Sequence, residues 1–211
     1  MSKKLMMSIA PVLVIAAFAV MPAMASANTE AYGTVTGGVF TPFAGPTNVL
    51  SEKTPGSGNF VLKTAGGGVI ECATFEDKGV NENVGGVGMS KDALVFDDCV
   101  VAAGPAAGCE VANIEGTVEN EVLAGGVKVG IFNLVGFVVS LTGKPVGCPE
   151  GIIGQVTLEK EATEVVGNQA EGSNALVFEE APGLEFNKEK ATITGSDSTV
   201  TEVGGEPVLI N

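Results

Sequence analysis

The acids of this chain are the residues with the means to do chemistry. Five oxygen-bearing side chains, Glu76, Asp77, Asn81, Glu82 and Asn83, crowd the segment FEDKGVNEN from Phe75 to Asn83. Hard cations take several carboxylate and carbonyl oxygens, usually gathered on a loop. Read as a glycine-containing loop, this segment gives those five residues a claim on Ca²⁺. It lacks the D-x-[DN]-x-[DN]-G spacing of an EF-hand. No catalytic or other cofactor-binding residue is expected.

A second acidic feature is the pair Asp97-Asp98 beside Cys99, in DALVFDDCV. It has an echo in NALVFEEAP, where Glu179-Glu180 follow the same Ala-Leu-Val-Phe. Neighbouring residues on a strand point to opposite faces, so adjacent acids cannot grip one ion from a regular strand. An unpaired buried carboxylate is costly. Each pair is therefore expected to mark a strand end or a bulge.

The missing residue types narrow the chemistry further. The chain has no His, Arg or Trp and a single Tyr, Tyr32. Histidine is the usual general base and metal ligand at neutral pH, and arginine the usual clamp for phosphate and carboxylate. Ser-His-Asp, Cys-His and histidine-zinc centres are excluded. A carboxylate-pair glycoside hydrolase, with acids about 5–10 Å apart, is the enzymatic route that remains. Tryptophan, the usual sugar platform, is absent and no acid pair is singled out by context. The formal charge of −14 disfavours nucleic acid and anionic membranes.

Four cysteines, Cys72, Cys99, Cys109 and Cys148, are spaced 27, 10 and 39 residues apart. These gaps do not suit a structural zinc site, which needs close pairs. An even number in an exported chain points to two disulfides. Of the three possible pairings, Cys72–Cys99 with Cys109–Cys148 is favoured, because Cys72 and Cys99 lie in two strand-like runs.

Export is read from the N-terminus. MSKK is a short positive start, Ile9 to Val20 is apolar, and MPAMASA supplies small residues before Asn28. This is the pattern of a signal peptide over residues 1–27, forming a signal-peptide helix and then cleaved. The apolar run is short for a membrane span of roughly 20 residues, so no stable anchor is expected after cleavage. Removing Lys3 and Lys4 makes the remainder, 28–211, still more acidic.

That remainder predicts a single secreted all-β domain, a β-sandwich or irregular β-barrel stapled by disulfides. Thirty Gly and ten Pro punctuate short runs rich in Val, Ile, Thr and Phe. NENVGGVG, EAPG and GSDS read as turns. The apolar stretch Val127 to Gly143 reads as a hairpin turning near Asn133 or as one buried strand, and as a place for self-association if its edge is exposed. Thr157 to Val166 reads as strand rather than helix.

The order GNFVLKTAGGGVIEC, ALVFDDCVV, GCEV, LVGFVVSLTGKPVGCPEG and LEFNKEKATITG, spanning Asn59 to Gly195, resembles a group of small secreted, β-rich, cysteine-containing proteins common in soil actinobacteria. The resemblance implies export and a disulfide-stapled β-fold, and no activity. The function expected is that of a non-enzymatic extracellular binding or surface-structural protein, with an extracellular partner or self-association. A Ca-dependent extracellular module and a carboxylate glycoside hydrolase are the alternatives.

Overall fold

The computed structural model describes residues 31–123, 128–160, 164–170 and 172–210. The expected signal peptide and its cleavage position fall outside these residues. The described residues are strands and turns throughout, and no helix among them is long and apolar enough to cross a membrane.

Two long antiparallel hairpins form the frame. The first pairs β5 (Val69–Val84) with β6 (Val87–Ala103), and the second β13 (Ala175–Phe186) with β14 (Glu189–Thr201). Their two-residue turns, Gly85-Gly86 and Asn187-Lys188, have positive φ at both positions. Such turns match the right-handed twist of the strands they join.

Shorter strands bridge the two hairpins on both sides. On one side β3 (Thr47–Lys53) and β4 (Phe60–Thr64) each pair with both β5 and β14. On the other, β8 (Ile114–Val122), β9 (Lys128–Val135) and β12 (Val165–Gln169) run from β6 to β13. Beside them β7 (Glu110–Val111), β10 (Val138–Thr142) and β11 (Glu150–Leu158) make a second path between the same two strands. Every strand from β3 to β14 is thus paired on both sides, and the sheet closes into a barrel. Of the two architectures expected, the barrel is the one formed. Closure removes exposed strand edges.

The stretch Val127–Gly143 departs from its expected form. The strand does not turn at Asn133; β9 runs on to Val135, and the chain bends at Gly136, where φ is +95°. β9 and β10 do not pair with each other, and neither offers a free edge. The chain here crosses from one bridge to the other.

At the waist of the barrel the long strands change phase. Core-packed residues on β5 run Ile70, Cys72, then Phe75, and on β6 they run the partly buried Phe96, then Cys99 and Val101. Asp98 makes the change on β6 with φ +51°, its N–H donating to Asp97 Oδ1 at 2.7 Å. Glu180, φ +47°, does the same on β13, where the pairing with β14 shifts register. The acid pairs therefore lie on the outer surface within continuing strands and are not strand ends; Glu179-Glu180 forms a bulge, while Asp97-Asp98 holds a left-handed residue with the register unbroken. That residue returns Cys99 to the interior, opposite Cys72.

Both expected disulfides are present. Cys72–Cys99 ties the β5–β6 ladder across a Cα separation of 4.0 Å, and Cys109–Cys148 ties the loops before β7 and β11 across 5.6 Å. Phe60, Phe75 and Phe96 meet at centroid distances of 4.7–5.4 Å, with Phe137 6.4 Å from Phe96. They sit in a core of Val, Leu and Ile around an apolar cavity of about 80 Å³.

A small sheet lies over the other end. β1 (Tyr32–Thr36) pairs with β2 (Val39–Pro42) and with β15 (Leu209–Ile210). Its Tyr32, Val208 and Ile210 pack on Val49, Val122 and Val129 of the barrel wall.

Candidate functional site

Beneath that cap the barrel interior turns polar. On β5 the inward positions after Phe75 are Asp77, Gly79 and Asn81; on β6 those after Phe96 are Leu94, Asp92 and Ser90. β14 contributes Asp197 and Thr199, β3 contributes Ser51, and β8 contributes Asn120. Together with Gln169 they surround a chamber of about 50 Å³. Asp77, Asp92 and Asp197 are 9%, 4% and 5% exposed.

The hydrogen bonding of these side chains is one-sided. Asp92 Oδ2 accepts from Ser90 Oγ at 2.7 Å and from Asn120 Nδ2 at 2.6 Å. Asn120 Nδ2 also reaches Ser90 Oγ at 2.9 Å. These contacts orient the Asn120 amide with its nitrogen toward the carboxylate and leave Oδ1 unspent. Ser51 and Thr199 share a hydroxyl contact of 2.8 Å. Three buried atoms remain without a hydrogen-bond partner: Asp77 Oδ1, Asp92 Oδ1 and Asn120 Oδ1. All three are acceptors.

Among the described residues no countercharge offsets the acids. The chamber lining contains no Lys, and the ion pairs among the described residues join surface Lys to Glu. Burial pushes Asp92 up to about 7, against the hydrogen bond from Ser90. Burial and then the neighbouring Asp92 push Asp197 up to about 7. Burial, with Asp92 and Asp197 nearby, holds Asp77 well above the usual carboxylate range. Burial and the charge of Asp92 raise the Tyr32 phenol as well. Desolvation and mutual repulsion both disfavour the charged form.

Two amide side chains join the cap to the barrel, beside the backbone bond from Val208 N–H to the Thr199 carbonyl at 3.0 Å. Tyr32 N–H donates to Asn83 Oδ1 at 2.9 Å, while Asn83 Nδ2 donates to the carbonyls of Tyr32 and Phe43 at 3.0 and 3.1 Å. Ile210 N–H donates to Gln169 Oε1 at 2.9 Å, and Gln169 Nε2 reaches the Val208 carbonyl at 3.4 Å.

The five residues read from sequence as calcium candidates are divided by this geometry. Their segment is not a loop but the middle of β5, and alternation splits the set. Asp77 and Asn81 face the chamber, Asn83 holds the cap, Glu76 is exposed beside Lys78, and Glu82 is only half-buried. Asp92, Asp197 and Asn120 went unnoticed in the sequence. A signal for Asp92 was present, since Asp92, Leu94 and Phe96 alternate on one face. No protein-family model, curated protein or solved structure matches this chain.

Proposed function

We propose that the protein is a non-enzymatic, exported binding protein that encloses a small ligand in the acidic end of its barrel. The observation that carries this reading is the set of three unpaired acceptor oxygens on buried side chains around one closed chamber. Native proteins leave few such atoms unsatisfied, because each costs about 1–3 kcal/mol. A bound species with positive charge or hydrogen-bond donors would satisfy them. Catalysis on a sugar chain is disfavoured by position, since the acids lie buried beneath Tyr32, Val208 and Ile210 rather than in an open cleft. Export is supported by the leader-like N-terminus and by two disulfides, which persist in oxidising compartments.

Native mass spectrometry of the exported protein tests this reading. A retained small species, released on unfolding and lost from an Asp77→Asn/Asp92→Asn double variant, is the expected result. A native mass equal to that of the bare polypeptide in the wild type, or turnover of a polysaccharide that either substitution abolishes, would overturn it.

A further inference from the structure

The chemistry of the chamber narrows the ligand class. Its unsatisfied atoms are all oxygen acceptors, and no unpaired donor is found among the buried side chains of the described residues. Water would satisfy their geometry and protons would relieve their repulsion; a cation would do both at once. A chamber of about 50 Å³ has room for an ion with several waters, each needing roughly 10–15 Å³ of such space.

We infer, building on the binding reading above, that the chamber is a Ca²⁺ site in which Asp77, Asp92 and the Asn120 amide oxygen are ligands and Asp197 supplies balancing charge. Hard oxygen donors of mixed carboxylate and amide type suit Ca²⁺, which accepts irregular coordination by 6–8 oxygens. Mg²⁺ demands near-ideal octahedral geometry and keeps its waters, which a strand-built wall of fixed side chains does not offer. Among the described residues no three acidic or cysteine side chains converge on a point by themselves. The neutral oxygen of Asn120 is therefore an essential member of the set. It is the atom left free once the amide nitrogen has been committed to Asp92 and Ser90.

The site also explains Gly79. It lies directly across the ladder from Asp92, and a β-carbon there would overlap Asp92 Oδ1. Between Asp77 and Asn81 on the same inward face, only glycine leaves the carboxylate its position.

The test is thermal unfolding of the exported protein after chelation, at about pH 8 and matched ionic strength, with and without Ca²⁺ or Mg²⁺. At about 100-fold excess over Kd, Ca²⁺ should raise Tm by roughly 5–10 °C, with one Ca²⁺ per chain by elemental analysis. Asp77→Asn and Asn120→Leu should lose most of that rise. Glu82→Gln, outside the chamber, should keep it. Neutralising Asp77 relieves repulsion, so this variant is expected to fold, and its apo melting curve verifies that. A rise with Mg²⁺ or a monovalent ion but not Ca²⁺, lost in Asp77→Asn, overturns the calcium assignment and leaves the binding reading standing. A Ca²⁺ rise undiminished in both variants places the ion elsewhere and overturns the calcium site, and the mass measurement above then decides the binding reading. No response to any cation, with no metal retained, overturns the calcium site, and the mass measurement above then decides the binding reading alone.

Discussion

Gly79→Ala is the sharpest probe of how the acidic chamber is built. Gly79 has no positive φ, so alanine fits the backbone; elsewhere in a strand the change would gain roughly 0.5–1 kcal/mol. Here the new methyl would overlap Asp92 Oδ1 and lie 2.7 Å from its Cγ and 3.0 Å from the Lys91 carbonyl oxygen. The carboxylate must turn away, giving up its contacts with Ser90 and Asn120. Losing two such hydrogen bonds costs about 2–3 kcal/mol, and overpacking adds about 1–3. The net loss is roughly 3–5 kcal/mol, a Tm drop of about 10 °C for a domain of this size. A double-mutant cycle isolates the cause, because Asp92→Ala empties the space the methyl needs. In that background Gly79→Ala should cost less than about 1 kcal/mol. Denaturant or thermal melts of the four proteins measure it. A Gly79→Ala protein as stable as wild type, or a cost that persists in the Asp92→Ala background, would refute the reasoning.

Two further outcomes follow from the same geometry. With divalent cations chelated, the protein should be more stable at acid than at alkaline pH. Asp92 and Asp197 sit at about 7 in the fold against 3.8 in the unfolded chain, so the fold keeps protons the unfolded chain has released. Their contribution is complete below about pH 4 and is lost as pH rises through 7, by up to about 4 kcal/mol for either group alone. Because the two repel each other, the joint loss is smaller than the sum. A Tm that climbs between about pH 5 and 8 in chelator contradicts this. Asn83→Ala should loosen the cap alone, removing three contacts to Tyr32 and Phe43. Hydrogen exchange should quicken at β1 and β15 while β5 and β6 stay protected, and uniform quickening would show that the cap is integral to the barrel.

The sequence announced the fold more clearly than the site, for a physical reason. Alternating Val, Ile and Phe between glycine turns is what a half-buried strand requires, and the all-β domain was legible there. So were the disulfides, because Cys72 and Cys99 occupy strand runs that become ladder partners. Adjacent acids that cannot both be buried marked the places where the strands become irregular, although the strands continue there and do not end. Closure was not legible, since it depends on pairings such as β4 with β14, far apart in the chain. Strand lengths were misjudged for a related reason. GSDS and EAPG carry turn-forming residues, yet they lie inside β14 and β13, where the ladder overrides local preference. FEDKGVNEN read as a loop because its inward residues Asp77, Gly79 and Asn81 are polar or small. The residues that make the chamber are the ones that erase the hydrophobic alternation by which a strand is recognised.

Such a chamber is expensive, and the rest of the barrel has to carry it. Three uncompensated carboxylates in a closed interior work against folding, and an apolar lining of the same shape would be more stable. The frame around them is correspondingly strong. Two disulfides closing loops of 27 and 39 residues contribute about 3–4 kcal/mol each in the chain-entropy model. The phenylalanine cluster lies directly beneath the acids, with Phe75 the inward neighbour of Asp77 along β5. Local rules of burial are broken at functional sites and obeyed around them. The phase changes at the waist fit the same logic. By shifting the phase of β5 and β6 between Cys72–Cys99 and Phe75–Phe96, they let one pair of strands face a crosslinked apolar core below and a ring of oxygens above. A barrel without that shift would point Asp77 and Asp92 outward whenever Cys72 and Cys99 pointed in. The exposed Asp98, in its left-handed conformation, lies where β6 changes the phase that turns the buried acids inward.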